Sequence, residues 1–162
     1  MSLAVLADIA DLLAALGVIA SLLFLALELR RSNRDTRQAN WRALLDSYRS
    51  FKALTNDLAF AEFVVRARQS WPDLSPAEKL SFEHYQEQGI HVMGNFFKHA
   101  STMPGDLTGL TRAVEICMID HLSGPGARAW YHDNRARGRL MPATYRNIDD
   151  ILARADRDSA AA

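Results

Sequence analysis

The feature that most restricts this chain is an uncharged apolar run close to its start, residues 12–27. Ten residues of this run are Leu, Ile, Val or Phe, and each favours insertion into a bilayer by about 0.3 to 0.6 kcal/mol. A helix of a soluble bundle has a polar face that recurs every three or four residues, whereas this run is apolar all round. The run therefore predicts a membrane-spanning helix over about residues 9–29.

The flanks of the run supply the remaining length and an orientation. A helix needs about 20 apolar residues to cross a bilayer core, and Leu3, Val5, Leu6 and Ile9 extend the apolar character upstream. Positive charge lies only downstream, because the first basic residues of the chain are Arg30, Arg31, Arg34 and Arg37. By the positive-inside rule, we expect the N-terminus outside and the rest of the chain in the cytoplasm.

Two other interpretations of the run are weaker. A cleaved secretory signal has a basic start and a small-residue cleavage site, but here Asp8 and Asp11 precede the run and "ALELRR" ends it. A fully soluble helical bundle is the second alternative, and it requires that later helices enclose the apolar run on all sides.

Small residues follow one face of the predicted membrane helix. Ala10, Ala14, Gly17 and Ser21 recur at helical spacing, with Glu28 in line seven residues later. Small residues at this spacing let two helix backbones approach closely, so the face predicts packing against another membrane protein or against a second copy. Arg30, Arg31, Arg34 and Arg37 are expected to set the topology and to lie near the headgroups of membrane lipid.

Composition narrows the function of the remaining chain. Lys plus Arg and Asp plus Glu number 19 each, so no overall positive field favours nucleic acid as a partner. Cys117 is the one cysteine, which excludes an internal disulfide and a cysteine-rich zinc cluster. Abundant Ala, Leu, Arg and Glu favour helices throughout.

The sequence therefore predicts an all-α protein in two parts. Residues 1–35 form a membrane anchor with a basic segment, and residues 36–162 form a cytoplasmic antiparallel bundle of about five helices with a frayed C-terminal tail. "RRSNRDTRQAN" is a short joint, with a capping box at Asp35 and Gln38, or a continued helix. The expected segments after it are residues 41–54, 58–69, 75–102, 108–122, 125–138 and 143–155, and "LSPAEKL" gives the clearest helix start.

Four stretches together resemble a known group of proteins: "GVIASLLFLALELRRSNRDTRQAN", the Trp-containing helix after it, "LSPAEKL" and "GPGARAWY". The group is a broad set of bacterial proteins of unknown function, with an N-terminal hydrophobic helix, a "QIRxNT"-like segment and a helical cytosolic domain. "ELRRSN" stands here in place of the commoner Gln-Ile-Arg-x-Asn wording. The resemblance implies an anchored helical domain at the bacterial inner membrane, and it carries no activity and no catalytic residues.

One polar stripe could carry chemistry. His84, Gln88, His91, Asn95 and His99 share a face of the predicted long helix, beside an apolar stripe that ends with Ala100 and Met103. Glu87, His91 and His99 are weak candidates for metal ligands. A carboxylate-bridged metal site, however, needs a second Glu-x-x-His, which the chain lacks. A solvated polar face is therefore the expectation, and the alternative is a ligand- or metal-binding domain, including that of an enzyme.

The sequence contains no nucleophile elbow, glycine-rich phosphate loop or zinc-protease motif. Cys117 lies on an apolar helical face, where a cysteine more often packs than reacts. We therefore assign no catalytic residue and no cofactor, and expect a membrane-anchored, noncatalytic accessory, scaffold or interaction subunit of an inner-membrane assembly.

Overall fold

The computed structural model describes residues 3–99 and 109–161, and these form helices joined by short turns, with no strand among them. The predicted all-α class is confirmed. The helices are α1 (Leu3–Ala53), α2 (Leu58–Ser70), α3 (Pro76–His99), α4 (Leu110–His121), α5 (Pro125–Arg137) and α6 (Pro142–Ala161), and single 3-10 turns cover Leu54–Asn56 and Trp71–Asp73.

The chain divides into two compact units, Met1–Asn40 and Trp41–Ala162, and α1 contributes to both. Of the two alternatives for "RRSNRDTRQAN", the continued helix is the one observed, and Asp35 with Gln38 does not begin a new helix. The Arg, Gln and Ala residues of this segment are good helix formers, and the scattered Ser, Asn, Asp and Thr each cost well under about 1 kcal/mol. Such small costs do not break a long helix.

The first unit contains the apolar part of α1 and the arginine-rich segment after it. From Leu12 to Leu29 every large apolar side chain that the structure describes is between 53% and 70% exposed. By length and composition this is the one helix in residues 3–99 and 109–161 that could cross a membrane, and none of its apolar window is buried.

The second unit has a core centred on α3. Its buried side chains Phe82, Ile90 and Met93 pack into one cluster with Trp130 of α5 and Ile148 of α6. The closest helix pairs are α2 with α5, α3 with α4, and α4 with α6. Because α3 buries residues at positions three and four apart along its whole length, the other helices can surround it.

Side-chain caps fix two helix starts where the sequence predicts them. The Asp57 carboxylate accepts a hydrogen bond from the Phe60 N–H at 2.8 Å, which begins α2. The backbone N–H of Ser75 donates to Glu78 Oε2 at 2.9 Å, and Glu78 N–H donates to Ser75 Oγ at 3.4 Å, so the capping box at α3 is confirmed. These bonds from Ser75 also hold the pKa of Glu78 below its ordinary value.

The C-terminal helices show one agreement and one difference. α5 ends at Gly138, whose φ of 65° is the left-handed conformation that glycine adopts most readily, as predicted. α6 continues to Ala161, whereas we expected it to end near residue 155 and the tail to fray. Alanines and arginines in the tail favour helix, and Arg128 ties α5 to Asp156 at 3.1 Å. Ala100 and Met103 lie outside the described residues, as does the stretch between the expected segments 75–102 and 108–122.

The tightest helix contact in the second unit is made at Gly126 of α5. A Cβ at this position would overlap the Ala67 carbonyl oxygen and lie 2.7 Å from the Trp71 backbone nitrogen. Only hydrogen fits there, so α5 and α2 approach backbone to backbone. Gly94 of α3 is the opposite case, because a Cβ there would meet nothing within 4 Å.

These two glycines give a paired prediction. Gly126→Ala should lower the free energy of unfolding by about 1 to 3 kcal/mol, because α2 and α5 must separate. Gly94→Ala should raise it by about 0.5 to 1 kcal/mol, because alanine loses less conformational entropy in a helix. Urea unfolding of the full chain in lipid nanodiscs, followed by tryptophan fluorescence, measures both. Equal effects of the two substitutions would contradict the close α2–α5 approach.

Candidate functional site

The predicted packing face lies on the exposed apolar helix. Ala14, Gly17, Ser21 and Glu28 are exposed, while the side chains of Asp8, Ala10 and Asp11 lie outside those the structure describes. The Ser21 hydroxyl donates to the Gly17 carbonyl at 2.8 Å, so its polar group is satisfied inside the helix, as a hydrocarbon environment requires. A Cβ on Gly17 would meet nothing within 4 Å, so the helix backbone is open to close approach at this point.

The basic residues that follow are exposed side chains on the same continuous helix. Among the described residues, none of Arg30, Arg31, Arg34 and Arg37 forms an ion pair. Their charges are not neutralised by nearby carboxylates and can act on the surroundings.

The five residues of the polar stripe, His84, Gln88, His91, Asn95 and His99, are all exposed on α3. Of these, His91 and Asn95 border a surface pocket of about 160 Å³ between α3, α4 and α6. Glu87 does not face His91 as a ligand partner: it accepts from Asn134 Nδ2 at 3.0 Å and pairs with Arg139 Nε at 2.8 Å. No group of three or more metal-ligating side chains occurs in residues 3–99 and 109–161.

The arginines at the end of α5 and directly after it are engaged with carboxylates rather than available for phosphate. Arg137 pairs with Glu83 at 2.9 Å and with Asp133 at 2.8 Å, and Arg139 pairs with Glu83 and Glu87. Arg135 pairs with Asp149. This segment is therefore a charged surface in which opposite charges offset one another.

Sequence reasoning missed a polar compartment inside the second unit. It has a volume of about 160 Å³ and lies between the last turns of α1, the side of α3 and the end of α4. The side chains that give it chemical character are Tyr48, Lys52, Arg68, Cys117, Asp120 and His121.

His121 is the buried polar group of this compartment. Its side chain is 4% exposed, and Nε2 lies 3.1 Å from the Gln86 carbonyl oxygen, so Nε2 carries the proton and donates. Burial, with smaller contributions from Arg68 and Lys52, lowers the pKa of His121 to about 3. The imidazole is therefore neutral at physiological pH. A Cβ at Gly89 would overlap this ring and lie 2.8 Å from Phe51 Cζ, so glycine is what lets the ring lie against α3.

The charged groups of the compartment leave an excess of positive charge. Neither Lys52 nor Arg68 forms an ion pair with any described carboxylate. Arg68 interacts with the Tyr85 hydroxyl, while its Nε is buried without a hydrogen-bond partner. The Lys52 ammonium lies 5.6 Å from the centre of the Tyr48 ring. Asp120 is the single carboxylate in the lining. A buried donor without a partner is costly, which makes Arg68 a group that a bound acceptor would stabilise.

An apolar compartment of about 230 Å³ adjoins the polar one. Trp41, Leu45, Phe96, Leu110 and Val114 line it, and the two compartments share Tyr48, Met93 and Cys117. Trp41 and Tyr48 each meet the Phe96 ring edge-on at 5.8 Å, which builds one wall. At the junction, Tyr48 Oη and Cys117 Sγ are 3.8 Å apart, and burial followed by the neighbouring thiol raises the pKa of Tyr48.

A partial signal for this cavity exists in the sequence. In the part of α1 after Trp41 and in α4, apolar residues recur at spacings of three and four. Each of these two stretches ends in polar residues, at Lys52 in α1 and at His121 in α4. Which two stripes face each other depends on packing between distant parts of the chain, and spacing within one helix does not determine that.

No protein family, no curated protein and no solved structure matches this chain. Fold and site together define a class: an all-α protein with one apolar helix long enough to cross a membrane and a helical unit that encloses a two-part cavity.

The buried histidine predicts a dependence of stability on pH. The ordinary pKa of histidine is about 6.5. Because the folded value is about 3, the unfolded chain binds a proton in this window that the folded chain does not. The free energy of unfolding should therefore fall as the pH drops below about 6.5, by about 2 kcal/mol from this residue between pH 7.5 and pH 5.0.

Urea unfolding at the two pH values, with tryptophan fluorescence as the signal, measures the loss. His121→Gln keeps a donor for the Gln86 carbonyl oxygen but does not titrate in this range. Between the two pH values, the free energy of unfolding of this variant should therefore fall by about 2 kcal/mol less than that of the unmodified chain. The same pH dependence in both chains would show that His121 is not the group responsible.

Proposed function

We propose that this protein is a single-pass protein of the bacterial inner membrane that acts as a noncatalytic accessory or interaction subunit. Its N-terminus lies outside and its helical unit lies in the cytoplasm. The observation that carries the proposal is the exposure of the apolar side chains from Leu12 to Leu29 on one helix.

Exposure of this extent is untenable in water. Burial of one large aliphatic or aromatic side chain is worth about 1.5 to 3 kcal/mol, so leaving the whole run in water costs on the order of 20 kcal/mol. A soluble bundle would recover this energy by enclosing the run, but none of the apolar window is buried by the chain itself. Lipid around the helix recovers the same energy, which supports the membrane over the soluble alternative.

The charges favour one orientation. Arg30, Arg31, Arg34 and Arg37 follow the apolar run directly and form no ion pair with described residues, whereas no Lys or Arg precedes it. Moving these uncompensated charges across the bilayer is far more costly than keeping them in the cytoplasm. The second unit, which follows them in the chain, is then cytoplasmic.

The interaction role depends on the small-residue face. Hydrocarbon gives two apolar helices no hydrophobic reason to associate, so close packing and hydrogen bonding must drive association. Gly17 leaves its backbone open, and Ser21 adds no unsatisfied polar group. These features suit a partner helix that packs along Ala10, Ala14, Gly17 and Ser21, from another membrane protein or from a second copy.

A bulky substitution tests the packing face. Gly17→Leu should abolish co-purification of the partner, or self-association, because the added side chain holds the two backbones apart. The chain's own fold should be unaffected, since a Cβ at Gly17 meets nothing within 4 Å. Mild-detergent purification from native membranes, with crosslinking before extraction, gives the measurement.

Ala26→Leu is the matched control. Ala26 lies nine residues from Gly17, which places it about 180° around the helix. It should leave association intact. If both variants behave alike, or if the unmodified chain is recovered only as an isolated monomer, the proposed packing face is wrong.

Topology gives a separate test. A green fluorescent protein fused to the C-terminus should fluoresce, because that protein matures in the cytoplasm, and the fusion should resist extraction from membranes by alkaline carbonate. Replacing Arg30, Arg31, Arg34 and Arg37 by Gln should lower the fluorescent fraction, because the charge difference that sets orientation is reduced. A chain that carbonate extracts completely would contradict membrane insertion.

A further inference from the structure

We propose that the two-compartment cavity of the second unit binds a single-chain amphiphile with an anionic headgroup, a long-chain carboxylate. The hydrocarbon chain occupies the apolar compartment beside Trp41 and Phe96, and the carboxylate lies in the polar compartment near Lys52 and Arg68. This inference does not depend on the partner helix proposed for the membrane segment.

The apolar compartment has a lining that suits a hydrocarbon chain. Its wall consists of the aromatic rings of Trp41 and Tyr48, each edge-on to the Phe96 ring, and the side chains of Leu45 and Val114 complete it. Alkyl groups gain free energy from leaving water for such a surface, in proportion to the apolar area that they bury. Ala113 lies at the exposed edge of this compartment and leaves an entrance that a larger side chain would close.

The cations of the polar compartment form no ion pair with a described carboxylate. The Arg68 guanidinium interacts with the Tyr85 hydroxyl, but its Nε is buried without a hydrogen-bond partner. Hydrogen bonds between a guanidinium or ammonium group and a carboxylate are among the stronger ones in proteins. His121 stays neutral and adds no charge, and Asp120 offsets only one of the two cations.

The order of lining residues along α1 and α4 favours an amphiphile over other kinds of ligand. Along α1 the lining changes from Trp41 and Leu45 through Tyr48 to Lys52. Along α4 it changes in the same direction, from Leu110 and Val114 through Cys117 to His121. A wholly apolar ligand would offer no hydrogen-bond acceptor to Lys52 and Arg68, and a small polar anion would leave the apolar compartment empty.

The chain has its own reporter for this site. Cys117 is the single cysteine of the sequence and lies where the two compartments meet. With the full chain in phosphatidylcholine nanodiscs, the rate of Cys117 alkylation by N-ethylmaleimide is measured against increasing palmitate, hexadecanol and hexanoate. Palmitate should slow the reaction at the lowest concentration. Hexadecanol should need about ten times more, because it lacks the charge, and hexanoate should have little effect, because its tail is short.

Two sets of variants test the carboxylate site and the hydrocarbon site separately. Lys52→Gln combined with Arg68→Gln should remove the advantage of palmitate over hexadecanol, whereas Lys98→Gln, an exposed lysine outside both compartments, should preserve it. Ala113→Phe should remove protection by either compound. Ala136→Phe, at an exposed position of α5, is its matched control and should retain protection.

Leu45→Trp fills the same compartment from α1 and replaces Ala113→Phe if that variant fails to fold, as judged by circular dichroism. Equal protection by palmitate and hexadecanol in the unmodified chain would overturn the anionic headgroup. Alkylation rates that palmitate leaves unchanged, or protection that persists in whichever of these two variants folds, would overturn the site.

Discussion

The contact between the His121 ring and the backbone of α3 at Gly89 determines how the second unit is arranged. The ring occupies the place that any side chain at position 89 would need, and Phe51 approaches the same place from α1. α1, α3 and α4 therefore meet around one glycine. The polar compartment lies beside this contact, with His121 and Phe51 in its lining, and the apolar compartment adjoins it. The energetic condition is that His121 stays neutral, since a charged imidazole in this position would lose its hydration and face two cations.

Local signals in the sequence determine most of the helix boundaries. Ser75 with Glu78, Asp57, and Gly138 each act within one turn of their own helix, so they can be recognised without tertiary structure. The continuity of α1 and the length of α6 depend on sums of small propensities, where isolated weak helix formers do not decide the outcome.

The candidate site was only partly predictable for a different reason. The histidines on α3 form a regular stripe and attract attention, yet all of them are exposed. His121 looks isolated in the sequence, but it is the buried one. Periodicity shows which residues share a face of one helix. It does not show which face of a second helix, thirty or seventy residues away, lies opposite, and the cavity is formed by that pairing.

α1 shows how one helix can suit two kinds of surroundings. From Leu12 to Leu27 its large side chains are apolar in every direction. From Trp41 onward the apolar residues recur at threes and fours, with Leu44 and Phe51 buried in the core. The intervening arginines carry charges that neither hydrocarbon nor a protein core accepts without partners. Backbone hydrogen bonding is the same throughout, so the change in side chains alone alters what each part of the helix can contact. The cavity repeats this change on a smaller scale, from Trp41 to Lys52, and it is the direction of that change that indicates how an amphiphile would lie in it.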